Sequence, residues 1–394
     1  MNLFKISWSY IKSKPLDTSL SLLLLAFGVG IISMLLLVEV QLKSQFERNI
    51  KDIDLVLGAK GSPLQLILSA VYHIDAPTGN ISKTEADRII KHPFVKAGIP
   101  LAYGDNYLNY RIVGTTDAYI NHYGAEMESG KAWESDFDAV IGSRIAAREG
   151  LKIGDKFYSS HGLDQEGEQH EDHAFTVVGI LKKNSSVLDQ LVLCSIESIW
   201  KVHEHGDSEE VLEEDKQYTA VLLEKKNPMA ILTIPQLLID SNMQVALPAI
   251  EINRLNQNFG IGMRTIRSIA IVIMLLSFVS VFISLYNSLK ERKYELALMR
   301  SMGGSRSTLF RLILQEGLIL TGIGFLLGII LSRIGLLLLS GMLQEEFNYS
   351  LDEMGMLSEE YILLAVSLLV GIMASFLPAL KAVRMDISET LSDA

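Results

Sequence analysis

The chain contains four blocks of mostly apolar residues, separated by polar sequence: Thr18 to Val40, Ile266 to Tyr286, Gly317 to Ser340, and Tyr361 to Leu380. Each block is about long enough to cross roughly 30 Å of hydrocarbon as a helix. The first is longer than the apolar core of a signal peptide and ends without a small-residue cleavage site, so we expect it to be retained. The pattern predicts an integral membrane α-helical protein with one span, a long polar segment, and three further spans.

Mixed patterns in the long polar segment predict an α+β extracytoplasmic domain between the first and second spans. Helical spacing alternates there with short runs of β-branched and aromatic residues, for example a strand over residues 107–116. The stretch from about Pro235 to Arg267 is predicted to be helical and to continue into the second span. Cys194 is the chain's one cysteine. No intrachain disulfide can form, and we expect Cys194 to be a small buried side chain.

The predicted organisation along the chain is a cytoplasmic amphipathic helix (1–16), transmembrane helix 1 (17–42), the extracytoplasmic domain with a helical stalk (43–263), transmembrane helix 2 (264–288), a cytoplasmic loop (289–316), transmembrane helix 3 (317–340), an extracytoplasmic acidic loop (341–360), transmembrane helix 4 (361–380) and a cytoplasmic tail (381–394).

Basic residues next to the spans predict the orientation of the chain. Three lysines and no acid precede Asp17, and the loop between spans two and three has six basic residues against three glutamates. The loop between spans three and four has six acids and no base, whereas Lys381 and Arg384 follow span four. Because short cytoplasmic loops are enriched in Lys and Arg, both termini and the middle loop are predicted to be cytoplasmic. Arg264 and Arg267 do not fit this pattern, because they lie at the predicted outer end of the second span, and we assign them to the stalk.

The N-terminal segment predicts a short amphipathic helix in the membrane interface, since Phe4, Trp8 and Ile11 share one helical face beside the lysines. A frayed basic tail is the alternative. The formal net charge of the chain is −11, and residues 43–263, with 21 basic and 32 acidic residues, carry all of it. A nucleic-acid partner is not expected, because the chain offers no basic face for phosphates.

No phosphate-binding loop of the G-x-x-x-x-G-K-[ST] type occurs in the sequence, and the glycine clusters at Gly58–Gly61 and Gly303–Gly304 lack its spacing. Sequences of the HExxH, GxSxG and CxxC types are also missing. The sequence therefore gives no motif for an enzyme, and no cofactor is expected in this chain.

The segment from Glu291 to Gly317 combines a basic cluster, a short helix, a glycine turn and a second helix that closes with a glutamate. With the stretch from Pro378 to Leu391, it resembles the MacB/FtsX-type permeases of ABC transporters. Residues 139–193 look like the periplasmic core domain of that family. The residues that match the family's loop, or lie beside its turn, are Glu295, Arg300, Gly303, Gly304, Arg306 and Glu316. Gly304 departs from the family's Gly-Ala step.

The resemblance implies a permease subunit in the bacterial inner membrane, with its large domain in the periplasm. It implies a cytoplasmic ABC ATPase subunit that binds ATP and docks on the 289–316 loop, a homodimer or pseudo-dimer of permeases, and a periplasmic or outer-membrane partner. ATP hydrolysis would then drive export or extraction of an extracytoplasmic substrate by mechanotransmission. A solvated basic loop that serves only topology is the alternative for residues 289–316. A mechanical regulator of a periplasmic partner, and a metal-linked exporter or sensor, are alternative functions.

Two further groups of charged or metal-binding residues suggest sites. Glu39 and Arg333 lie at similar depths in the first and third spans, and we expect them to pair, or each to reach the interface separately. Three histidines, His161, His170 and His173, occur among five acids within fifteen residues. Imidazole and carboxylate ligands at this spacing suit Zn²⁺, although a solvated acidic loop is the alternative.

Overall fold

The computed structural model describes residues 3–161, 169–202, 216–347 and 355–384. The chain divides into two compact units, a membrane unit of Met1–Leu42 with Phe259–Ala394, and an outer domain of Lys43–Asn258. The structure confirms the predicted fold class, because one span precedes an α+β domain and three spans follow it.

The helices in the described residues are α1 (Leu3–Ser13), α2 (Pro15–Asn49), α3 (Pro63–Ala70), α4 (Lys83–Ile90), α5 (Asp117–His122), α6 (Ser143–Glu149), α7 (Ile196–Val202), α8 (Ala230–Leu237), α9 (Pro248–Glu291), α10 (Lys293–Ser301), α11 (Arg306–Phe347) and α12 (Ser358–Val383). The strands are β1 (Leu55–Ala59), β2 (Ile81–Ser82), β3 (Val95–Tyr107), β4 (Tyr110–Thr115), β5 (Met127–Gly130), β6 (Asp138–Ile141), β7 (Lys156–His161), β8 (Gln169–Leu181), β9 (Val192–Ser195), β10 (Gln217–Tyr218), β11 (Ala220–Lys225) and β12 (Met243–Ala246).

Four helices of the membrane unit are long and apolar enough to cross a bilayer: Pro15–Asn49, Gly262–Glu291, Arg306–Gly341 and Ser358–Val383. Small residues allow them to approach closely, as is usual where lipid removes the hydrophobic drive for helix association. A Cβ at Gly328 of α11 would lie 2.7 Å from Val29 of α2, and a Cβ at Gly371 of α12 would lie 2.3 Å from the Thr321 hydroxyl of α11. Both contacts therefore need glycine.

A ten-stranded mixed sheet forms the centre of the outer domain, in the order β12-β1-β11-β3-β4-β9-β6-β8-β5, with β7 paired to β3 and β8. The pairs β4–β9 and β6–β8 are parallel, and the other pairs in this sheet are antiparallel. Side chains alternate along each strand, so that Val221 and Leu223 of β11 enter one apolar cluster and Leu222 enters the other. Both faces of the sheet are thus buried.

Two local predictions in the outer domain were right only in part. The strand predicted over residues 107–116 is broken by a hairpin turn, because Leu108 and Asn109 have φ of 48° and 70°. Positive φ at both central residues is the geometry that joins two twisted antiparallel strands tightly. The helix predicted from about Pro235 is also interrupted, since β12 pairs with β1 before α9 begins at Pro248. Backbone pairing across the sheet overrides the local helical pattern there.

Candidate functional site

A short helix, α10, lies between the second and third spans and ends in a tight glycine turn. Gly303 has φ of 99°, a conformation that side chains disfavour, and the amide of Gly304 donates to the carbonyl of Met299 at 2.9 Å. A Cβ on Gly304 would lie 2.7 Å from that carbonyl oxygen. Ser305 then caps α11 by accepting from the amide of Thr308 at 3.2 Å. The two glycines thus fix where α10 ends and how α11 starts.

A buried ion pair ties the start of α10 to α11. The guanidinium of Arg292 donates to both carboxylate oxygens of Glu316, at 2.8 and 2.7 Å, and its Nε donates to the carbonyl of Ser288 at 3.2 Å. The two side chains are only 8% and 3% exposed. A bidentate pair of this kind is strong and directional. Glu316, which was expected in the coupling region, therefore anchors the loop instead of contacting solvent.

The N-terminal helix α1 packs directly against this loop. The hydroxyl of Tyr10 donates to Glu295 at 2.5 Å, and the guanidinium of Arg292 lies 3.9 Å from the centre of the Tyr10 ring. Burial, together with the hydrogen bond to Glu295, raises the pKa of Tyr10 to about 12. The phenol therefore stays protonated at physiological pH and remains a donor. Lys14 forms an ion pair with Glu291 nearby.

One face of α10 is exposed and apolar. Tyr294, Leu298 and Met302 follow one another at intervals of four residues and are 50%, 42% and 73% exposed. Side chains at this spacing share one side of a helix. Leu296 and Ala297 are fully buried, and Leu296 packs with residues of α11 and α12. Within the part of the chain that the structure describes, the helix thus has a packed side and an exposed apolar side, which we call the α10 face.

Basic side chains border the α10 face. Arg300 is half-buried in the last turn of α10, and Arg306 is exposed at the first position of α11. The structure therefore brings together Glu295, Arg300, Gly303, Gly304 and Arg306 around one helix and its turn. Glu316 lies behind them, paired with Arg292. An exposed apolar helix face with a basic border has the chemistry of a protein-docking surface.

A second polar cluster joins three membrane helices, α2, α11 and α12. Arg333 donates to both oxygens of Glu360 at 2.7 and 2.8 Å and to the hydroxyl of Ser33 at 3.2 Å. Ser33 also donates to Glu360 at 2.5 Å and contacts the hydroxyl of Ser332 at 2.7 Å. The Glu360 side chain is 0% exposed. Charges buried between membrane helices are tolerated when they pair and share several hydrogen bonds, as these do.

The predicted pair of Glu39 with Arg333 is wrong. The carboxylate of Glu39 contacts Arg267 of α9 at 2.5 Å, and both side chains are about half exposed. Arg333 contacts Glu360, which was assigned to an acidic loop but lies in the first turn of α12. The prediction matched the two charges by depth alone, whereas helix rotation turns Glu39 toward α9 and Arg333 toward α12.

The histidine segment gives no metal site among the residues that the structure describes. The ring of His173 stacks on Phe137, with centroids 4.8 Å apart. The side chains of His161 and His170 lie outside the described residues, as do residues 162–168. Zinc binding by His161, His170 and His173 therefore stays a prediction.

Sequence profiles of two protein domains match this chain. The MacB-like periplasmic core domain matches residues 18–231, more than half of the chain, and the FtsX-like permease C-terminal domain matches residues 267–387. The chain belongs to the MacB/FtsX-like permease family. Proteins of this family are the permease components of ABC transporters and work with an ATPase partner. This permease is thus a membrane protein with an extracytoplasmic domain.

Two solved structures resemble parts of this permease. The periplasmic region of MacB from Actinobacillus actinomycetemcomitans is 13% identical, with a TM-score of 0.35, and the match covers 53% of this chain and 96% of that one. The extracellular domain of the noncanonic ABC-type transporter YknZ from Gram-positive bacteria is also 13% identical, with a TM-score of 0.31 over 48% of this chain and 98% of that one. No curated protein matches the permease.

Sequence reasoning missed Tyr10 and Arg292 of the first cluster, and Glu360, Ser33 and Ser332 of the second cluster in this permease. A signal for Arg292 was present, because it is the basic residue directly before α10 and Glu316 is the acid that precedes the third apolar block. Tyr10 carried no comparable signal, since its partner Glu295 lies 285 residues away in the sequence.

Proposed function

We propose that this permease transmits the motion of its separate ATPase subunit to an extracytoplasmic substrate, and that α10 is the element through which the ATPase acts. The observation that carries the proposal is the two-sided environment of α10. Its exposed α10 face is free for a partner, whereas its other side is held by the Arg292–Glu316 pair and by Tyr10. A force applied to the α10 face would therefore pass into α11 and α1 without being absorbed by a loose loop.

The membrane helices offer a path for that motion. α11 begins one residue after the α10 turn and runs to Phe347, and at Arg333 it is hydrogen-bonded to α2 and α12. A displacement of α11 would be shared by these three helices because the cluster has several simultaneous hydrogen bonds. We infer that the permease moves the outer domain in this way and exports or extracts a substrate on that side of the membrane.

ATP binding belongs to the partner in this proposal, since the chain has no phosphate-binding loop. We further propose that the loop and both termini are cytoplasmic, that the membrane is the bacterial inner membrane, and that two permease subunits assemble with two ATPases. Any further periplasmic or outer-membrane partner would meet the outer domain. The distribution of basic residues supports this orientation.

Labelling of one introduced cysteine tests the orientation, because the chain's own cysteine should give little background labelling. Cys194 is the chain's one thiol, it is fully buried, and burial raises its pKa, so it reacts poorly with maleimides. Ser305→Cys places an exposed thiol at the α10 turn. We expect a membrane-impermeant maleimide to label Ser305→Cys only after the cells are opened. Labelling in intact cells would contradict the proposed orientation.

Co-purification with the ATPase tests the docking surface. Leu298→Asp places a charge in the centre of the α10 face, and we expect loss of the co-purified ATPase and of its coupled ATP turnover. Leu232→Asp is a matched control, because Leu232 is 61% exposed in the outer domain. The control should retain both. Normal ATPase binding by Leu298→Asp would overturn the assignment of α10.

A further inference from the structure

Helix α1 has two apolar faces, and one of them packs against other residues that the structure describes, whereas the other is exposed there. Leu3 and Ile6 pack into the cluster formed by α10, α11 and the end of α12, and the Ser7 hydroxyl donates to the carbonyl of Leu312 at 3.5 Å. Phe4 and Trp8 point the other way and are 53% and 38% exposed. A helix that buries one apolar face and exposes another needs a second environment for the exposed one.

The exposed face of α1 combines aromatic rings with lysine. The rings of Phe4 and Trp8 are parallel, with centroids 6.5 Å apart, and the ammonium of Lys12 lies 5.5 Å from the Trp8 ring centre. Trp and Lys side by side are typical of the headgroup region of a bilayer, where a ring can be half buried while an ammonium meets phosphate. We call Phe4, Trp8 and Lys12 the outward face of α1.

The position of α1 places the outward face at the bilayer surface. α1 ends at Ser13, and the first membrane-spanning helix begins two residues later at Pro15. α1 therefore lies within one turn of the point where the chain enters the membrane. Lys14 is paired with Glu291, but Lys12 gives the outward face a positive charge, which favours an acidic surface over a neutral one. Each lysine near such a surface favours binding about fivefold.

We propose that the outward face of α1 binds the acidic phospholipid headgroups of the leaflet next to α10, and that this contact holds α1 against α10 through Tyr10. The contacts on the inward side of α1 connect the lipid contact to α10. The hydroxyl of Tyr10 donates to Glu295, and the Tyr10 ring stacks on the guanidinium of Arg292, which anchors the loop to α11. Lipid charge would then set how firmly α10 is held. This second step rests on the proposed function, whereas the lipid contact does not.

Quenching of Trp8 fluorescence by brominated lipids tests the contact in the full-length chain. Wild-type and Trp8→Phe permease are reconstituted into mixed bilayers of phosphatidylcholine and phosphatidylglycerol, with bromine on the acyl chains of one lipid or the other. The difference between the two proteins isolates Trp8 from Trp133 and Trp200, both in the outer domain. We expect Trp8 to be quenched, and more strongly when the phosphatidylglycerol is brominated.

Charge variants test the selectivity. Lys12→Gln should lower the preference for phosphatidylglycerol about fivefold. Lys131→Gln removes an exposed lysine of the outer domain and should leave it unchanged. Absence of quenching by either lipid would overturn the lipid contact. Equal quenching by both lipids in the wild-type permease would overturn the role of headgroup charge.

ATP turnover by the permease with its ATPase tests the step through Tyr10. We expect turnover to depend on the phosphatidylglycerol content of the bilayer, and Tyr10→Phe to remove that dependence while Trp8 quenching persists. If Tyr10→Phe kept the full dependence, transmission through Tyr10 would be wrong. If no ATPase associated with the permease in any bilayer, the proposed function would fail, and the quenching result would still decide the lipid contact.

Discussion

Breaking the Arg292–Glu316 pair should destabilise the membrane unit strongly. Glu316→Ala leaves the guanidinium of Arg292 buried beside the Ser288 carbonyl and the Tyr10 ring, without a carboxylate to balance its charge. Removing one partner of a buried pair costs about 3–5 kcal/mol, because the other charge stays out of water. The pair qualifies as buried, since its side chains are 8% and 3% exposed.

The prediction can be measured as a shift in the midpoint of heat-induced loss of the monodisperse protein in detergent. For a unit of this size, 1 kcal/mol corresponds to about 2–4 °C, so Glu316→Ala should lower the midpoint by roughly 6–20 °C. Arg292→Met should have an effect of similar size. The double variant Arg292→Met with Glu316→Leu removes both charges and should recover most of the loss.

The double variant decides between an ion pair and simple packing. If the pair matters, the effects of the two single changes are far from additive. Additive losses, or single losses under about 1 kcal/mol, would refute the inference that this pair fixes the loop. Lys131→Gln is a suitable control, because Lys131 and its partner Glu134 are 60% and 66% exposed, and exposed pairs contribute only about 0–1 kcal/mol.

Three other changes should give distinct results. Gly304→Ala brings a Cβ to 2.7 Å from the Met299 carbonyl oxygen and should cost about 1–3 kcal/mol, measured by the same heating assay. Glu39→Gln removes a half-exposed pair with Arg267 and should cost no more than about 1 kcal/mol, a midpoint shift of at most about 2–4 °C in the same assay; a larger loss would show that the pair is shielded. Burial, and to a smaller extent the charge of Arg111, lower the pKa of His73 well below its ordinary value. The stability that the neutral His73 contributes is therefore complete above about pH 6.5 and is lost as the pH falls below that value. The free energy of unfolding of the outer domain, measured with urea and tryptophan fluorescence, should therefore fall from neutral pH to about pH 5. It should fall less in His73→Asn, and an equal fall in that variant would exclude His73 as the cause.

The sequence predicts the membrane architecture well because each span is a local property. Length and apolar composition are sufficient to identify a helix that crosses hydrocarbon, and all four predicted blocks lie within the spans of the structure. The turn at Gly303 was also visible, since glycine is the residue that accepts a φ of 99° at a helix end.

Pairing between distant residues could not be predicted in the same way. Glu39 and Arg333 are at similar depths, but the rotation of each helix decides which neighbour a charge meets, and small-residue contacts such as Gly328 with Val29 set that rotation. The contact of Tyr10 with Glu295 depends equally on how α1 packs. Likewise, β12 forms because β1 offers an edge, which the four residues of β12 alone do not reveal.

The most direct test of the account is photo-crosslinking from the α10 face in living cells. Replacement of Leu298 by a benzophenone amino acid should yield a covalent adduct with the cytoplasmic ATPase, because Leu298 lies at the centre of the exposed apolar stripe. The same replacement at Leu232 of the outer domain should yield no such adduct. An ATPase adduct at neither position, or at Leu232 alone, would contradict the claim that the ATPase acts through α10.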